Sequence, residues 1–157
     1  MKRIALAVAM FVSLAAPAWA GIDEGVAAYK RGDYKLAIQE LTPLAEQDHG
    51  DVQYLLGRMY HTGLGVPQDY AEATLWYRRA AEQGNPGCQF LLGFLYSTGR
   101  GVPKDLVQAH FWFSVSAARG SDAPRKSRER VAKKMTPTQI AEAQRLVREL
   151  MGKRRGK

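Results

Sequence analysis

The chain has 157 residues, with 23 Lys or Arg against 15 Asp or Glu and a formal net charge of +8. Its one cysteine, Cys88, rules out an intramolecular disulfide. The three histidines, His49, His61 and His110, are scattered, and the sequence has neither a His-Glu-x-x-His pattern nor paired cysteines, so no metal motif is present.

Lys2 and Arg3 precede an apolar run from Ile4 to Ala16, followed by Pro17-Ala18-Trp19-Ala20 with small residues at Ala18 and Ala20. A charged n-region, an apolar h-region and a small-x-small site predict a secretory signal peptide at 1–20, cleaved after Ala20. The run is too short to span a bilayer comfortably. The expected mature chain is Gly21 to Lys157, periplasmic, with a net charge of +6. That charge is uneven: 21–118 holds 8 basic against 11 acidic residues, and 119–157 holds 13 against 4.

The first expected unit, 21–50, has a helix of about 23–31 carrying Val26 and Tyr29, joined to a second helix through Gly32 alone. Asp33, Ala37 and Ala45 stand 36 residues before Asp69, Ala73 and Ala81. The next two units are one segment written twice. Asp51–Gly84 and Gly87–Gly120 align without a gap at 15 of 34 positions, where ordinary composition gives about two. Such a period marks a stacked array whose units bury their apolar faces only against neighbours.

Within the units 51–86 and 87–121, Val52, Leu55, Leu56, Met59 and Tyr60 form a helical stripe that Cys88, Leu91, Leu92, Leu95 and Tyr96 repeat. Cys88 stands where Val52 stands one period earlier, which predicts a buried thiol. Thr62-Gly63-Leu64-Gly65-Val66-Pro67 and Thr98-Gly99-Arg100-Gly101-Val102-Pro103 then stop each helix. Asp69 and Asp105 are the expected N-caps of second helices that end near Gly84 and Gly120. Beyond 121, a mostly polar helix of about 123–134 and a second one opened by the capping box Thr136-Pro137-Thr138-Gln139 are expected to form a C-terminal cap over 122–152. A basic tail, 153–157, follows.

Leu56-Gly57-Arg58-Met59-Tyr60, the loop through Pro67, Asp69-Tyr70, Ala73, Trp76-Tyr77 and Ala80-Ala81-x-x-Gly84 closely resemble the Sel1-like repeat, and Leu92–Gly120 matches nearly as well. The resemblance implies an all-α fold, a short right-handed α/α solenoid of the tetratricopeptide-like superfamily, with members that mostly serve as adaptors in protein complexes. One exported branch reported to bind penicillins holds each repeat with a cysteine pair, and the single Cys88 gives that branch no support.

A search for chemistry along the chain yields no catalytic residue and no cofactor site. Thr62-Gly63-x-Gly65 closes a helix, whereas a phosphate cradle opens one after a strand. Ser97, Ser114, Ser116 and Ser121 lie in no Gly-x-Ser-x-Gly elbow. What remains is surface. Tyr54, Arg58 and His61, repeated as Phe90, Phe94 and Ser97, form a second face on the first helix of each repeat, a candidate protein-binding face on the concave side. The same side chains also suit packing between layers. Arg125, Lys126, Arg128, Arg130, Lys133 and Lys134 form a candidate electrostatic patch toward an anionic envelope polymer or lipid, and export argues against nucleic acid. The expectation is therefore a non-enzymatic adaptor or scaffold that binds an envelope protein or peptide. The alternatives are an envelope-active hydrolase of cell-wall or β-lactam substrates and a structural subunit of a secretion assembly.

Overall fold

Each glycine-proline break ends one helix, and an aspartate opens the next. The computed structural model describes residues 18–156, with side chains from residue 21; the expected signal segment over 1–17 and Lys157 of the basic tail lie outside the described residues. Eight helices follow in order among the described residues: α1 Ala18–Arg31, α2 Tyr34–Ala45, α3 Gly50–Thr62, α4 Tyr70–Glu82, α5 Pro86–Thr98, α6 Leu106–Ala117, α7 Asp122–Ala132 and α8 Pro137–Arg155. No strand occurs among those residues, and none of the helices is long and apolar enough to cross a membrane. The fold is an all-α, α/α solenoid.

The helix ends follow the expected chemistry. Gly63 and Gly99 close α3 and α5 in the left-handed conformation, φ 74° and 72°, and donate to the carbonyls of Met59 and Leu95. The Asp69 carboxylate accepts from Ala71 N–H at 2.8 Å and Glu72 N–H at 3.0 Å, and Asp105 accepts from Gln108 N–H at 3.0 Å. Asp33 does the same for Leu36 N–H at 3.2 Å at the start of α2. A glycine is required at 101, where φ is +71° and a Cβ would collide with the backbone carbonyl of Tyr70. Gly65 meets Tyr34 in the same way one period earlier, so each loop lies on the start of the preceding unit's second helix.

The core is shared between layers. Leu41 and Leu44 of α2 are buried with Val52, Leu56 and Met59 of α3; Ala73, Tyr77 and Ala80 of α4 with Cys88, Leu92 and Leu95 of α5; Ala109 and Phe113 of α6 with Val131 of α7. A fully buried Leu or Phe stabilises by roughly 1.5–3 kcal/mol, so a unit without its neighbour loses a large part of its hold. Gly57 and Gly93 let the paired helices close, since a Cβ there would sit 2.5 Å from the Tyr77 ring and 2.6 Å from that of Phe113. Two glutamines are as buried as the leucines: Gln53 donates to the Ala45 carbonyl at 2.8 Å and Gln89 to the Ala81 carbonyl at 3.0 Å. These are the same bond one period apart, and each ties the end of one unit to the start of the next.

The C-terminal quarter departs from the expected cap. Helices α3, α5 and α7 begin at residues 50, 86 and 122, so the period persists for one more helix whose sequence no longer shows it. α7 stacks on α6 as α5 stacks on α4, but α8 packs on α6 instead of forming a hairpin with α7. The expected stop at Gly152 does not occur, and α8 runs on to Arg155. Gly152 takes no left-handed turn, and Lys153, Arg154 and Arg155 favour the negative end of the helix dipole, so the helix continues into the expected tail.

Candidate protein-binding face

Helical spacing puts residues 54, 58 and 61 on one side of α3 and their period mates 90, 94 and 97 on the same side of α5. Within that set the side chains divide. Tyr54 is half-buried, its ring 6.4 Å from that of Tyr77, and Phe90 is half-buried 5.6 Å from the Phe113 ring. Both therefore pack onto the second helix of their own unit. Arg58 is exposed, with its guanidinium 5.8 Å from the Tyr54 ring centre. Phe94 is exposed at 38%, an unusual state for a large apolar side chain in this molecule, which Leu75 at 54% shares. Arg100 bridges the layers, 6.0 Å from the Phe94 ring centre and 5.7 Å from that of Tyr70.

His61 is held inside this face. Its ring meets Tyr70 edge-on at 5.1 Å, and Nδ1 lies 3.5 Å from the Tyr77 hydroxyl. Burial, with Arg100 nearby, lowers its pKa from the ordinary imidazole value, so it is neutral at pH 7. Burial likewise raises the Tyr77 phenol, which keeps its proton and serves as hydrogen-bond donor or acceptor only.

The candidate basic patch is spread around α7. Arg125 is tied to Asp122 at 2.8 Å and to Glu129 at 3.8 Å. Arg128 turns toward α8, lining a cleft of about 640 Å³ with His110, Ser114 and Arg148. Arg130 and Lys134 turn the other way and line a groove against α5 with Phe94 and Lys104. Lys126 and Lys133 are exposed. The six residues are close together in sequence but not on one face, because α7 turns them to different sides. Once α7 is in register, Arg58, Phe94 and Arg130 are period mates, and all three are exposed.

Among the described residues, the hydroxyl, imidazole and thiol groups outside this face are engaged as follows. Ser114 Oγ lies 3.4 Å from His110 Nδ1 but donates to the His110 carbonyl at 2.7 Å, which commits its proton to the helix. The cation beside His110 is Arg128, where an orienting carboxylate would be needed, and burial followed by Arg128 lowers the imidazole pKa. Cys88 is fully buried and its thiol is pushed up to about 12, so it is an inert core residue. Among the described residues no three His, Cys, Asp or Glu side chains converge as a metal site would require.

With this geometry in hand, comparison with known proteins gives consistent results. The Sel1 repeat model matches residues 50–85 and 86–121. A protective antigen of uropathogenic Escherichia coli strains, whose crystal structure displays an SLR fold, is similar at 29% identity and TM-score 0.78 over 87% of this chain and 30% of its own. A Sel1 repeat protein from Oxalobacter formigenes is similar at 33% identity and TM-score 0.62 over 71% of this chain and 44% of its own. The chain thus spans less than half the length of either structure. Among curated proteins none matches. Repeats of this kind generally mediate contacts between proteins, and the fold is typically a scaffold without enzymatic activity.

Proposed function

Because the chain is a Sel1-repeat solenoid, we propose that it is a periplasmic adaptor that binds a protein or peptide along the face formed by α3, α5 and α7. The observation that carries this reading is the exposed row Arg58, Phe94 and Arg130 at period-equivalent positions of three stacked helices. Arginine and aromatic side chains are the types that anchor interfaces. Tyr54, His61 and Phe90 support the row from beneath by packing on Tyr77, Tyr70 and Phe113.

The compartment rests on the sequence pattern at 1–20. Helix α1 runs through the expected cleavage point, so processing after Ala20 shortens it without reaching Ala28, its core residue. N-terminal sequencing of the exported protein should begin at Gly21, and an intact Met1 on a cytoplasmic product would rule the compartment out. The adaptor role is tested by placing a photo-crosslinking residue at Arg58 or Phe94 in the producing cells, with exposed Glu46 as the off-face control. Discrete protein adducts from the first two positions alone are expected. Equal labelling at Glu46, or none anywhere, would exclude the face.

A further inference from the structure

The seam between α5 and α7 holds a groove of about 200 Å³ in which Phe94, Leu106 and Phe113 supply apolar surface and Lys104, Arg130 and Lys134 supply charge. No Asp or Glu is among its lining residues. The ion pairs among the described residues involve Arg31, Arg125 and Arg145, so none of the three groove cations is neutralised in this way. Three like charges around one narrow groove repel one another, and an anion relieves that repulsion. Two of the hydroxyls that also line the groove are already engaged: Ser97 Oγ donates to the Phe94 carbonyl at 2.8 Å and Thr98 Oγ1 to the same carbonyl at 3.0 Å. The three cations, with the Ser127 hydroxyl beside them, are the donors the groove offers.

The preceding layer carries different residues at the equivalent positions. Lys104 is there replaced by Gln68, whose amide donates to the His61 carbonyl at 2.7 Å and contacts the Tyr70 hydroxyl at 3.2 Å. Arg130 is replaced by Phe94 and Lys134 by Thr98. At this position the preceding layer has a neutral amide satisfied internally, whereas the last layer gathers three cations without a carboxylate.

We propose that this groove binds an acidic peptide segment carrying one aromatic or large aliphatic side chain, which lies on Phe94 while flanking carboxylates pair with Lys104, Arg130 and Lys134. The inference deepens the adaptor reading and rests on it. A duplex or a bilayer surface would call for a broad cationic face, whereas a groove of side-chain size with an apolar lining fits a single extended chain.

The test uses the exported full chain and a short dye-labelled peptide of aspartate and glutamate with one central phenylalanine, read by fluorescence anisotropy. Binding should weaken about tenfold or more in Lys104→Ala/Arg130→Ala/Lys134→Ala and in Phe94→Ala, and it should fall as salt rises. Circular dichroism of each variant guards against unfolding. The charge-reversed Lys104→Glu/Lys134→Glu chain should instead prefer the lysine analogue of the peptide, a gain that misfolding cannot produce. Equal binding of polyglutamate without phenylalanine, or stronger binding of a DNA duplex or of phosphatidylglycerol vesicles, would overturn the proposal in favour of a general polyanion surface. Absence of peptide binding while crosslinks still form at Arg58 would overturn this inference and leave the adaptor reading standing; loss of both would remove the adaptor reading itself.

Discussion

In α5 and α6, Cys88, Leu92, Leu95, Trp112 and Phe113 are buried, whereas α7 buries only Pro124 and Val131, and α8 only Ala143. The repeat body is mildly acidic and the C-terminal pair strongly basic. The body is therefore specified from inside, by side chains that fill a shared core. The C-terminal pair is specified by caps, by one docking seam on α6 and by surface charge.

The sharpest way to break this contrast is to truncate one buried aliphatic side chain on each side. Leu92→Ala in the body should cost about 2–5 kcal/mol, read as a lower urea midpoint for the whole chain. Val131→Ala should cost less, about 1 kcal/mol or a little more, because fewer methyl groups leave a thinner core. Equal losses would mean that α7 belongs to the body's cooperative unit.

The loops allow a second contrast. Gly101 and Gly120 both have positive φ, +71° and +86°. A Cβ at 120 meets nothing within 4 Å, but at 101 it collides with the Tyr70 carbonyl, which belongs to a helix and cannot move aside. Gly120→Ala should cost roughly 1–2 kcal/mol from backbone strain alone. Gly101→Ala should cost more by roughly 1–3 kcal/mol of overpacking. Thermal melts of the two variants side by side decide the matter, and similar values would mean that the loop is not clamped to α4.

This contrast also explains what could be read in the sequence. Gly63, Gly65, Pro67 and Asp69 act locally, through φ and orphan amides, so their roles were legible from residue type and spacing alone. The buried Cys88 was legible through its period mate Val52. Gln53 and Gln89 were not, because burial of an amide depends on where another helix leaves a carbonyl, and Ala45 and Ala81 give no sign of it. The third layer was hidden for a different reason. α7 keeps the spacing of α3 and α5 but replaces their apolar stripe with charge, so repeat identity vanished while the stacking geometry survived. As a result Arg130 and Lys134 were grouped with Arg125 and Arg128, from which the helix turns them away.

Acid should reveal a smaller difference. The pKa values of both His61 and His110 are lowered by burial, so the folded state favours neutral imidazole. Their contribution to stability is present above the unfolded value of about 6.5 and is lost as pH falls through the folded values. The urea midpoint should decline below about pH 6.5, and His61→Gln or His110→Gln should flatten that decline. A larger flattening from His110→Gln would place the acid-sensitive joint at the α6–α8 seam, where Arg128 and Arg148 line the same cleft as His110.

The smallest effect is expected from the most visible ion pairs. On α8, Arg145 meets Glu142 at 2.6 Å and also Glu149, which suggests at first sight that charge holds the helix in place. All three lie on the exposed side of one helix, at i,i+3 and i,i+4 spacing, and none reaches α6. Exposed pairs of this kind are screened by solvent and cost side-chain freedom, so their net contribution is slight. Arg145→Ala should leave the urea midpoint unchanged within error, whereas Thr136→Ala should lower helicity and stability by about 1 kcal/mol, because Thr136 and Gln139 close the capping box that starts α8. The salt dependence of the melt provides the second check. If α8 is held by its cap and by the α6 seam, moderate salt should leave its unfolding in place; if the Arg145 network holds it, salt should release α8 before the body melts, and Arg145→Ala should reproduce that release at low salt.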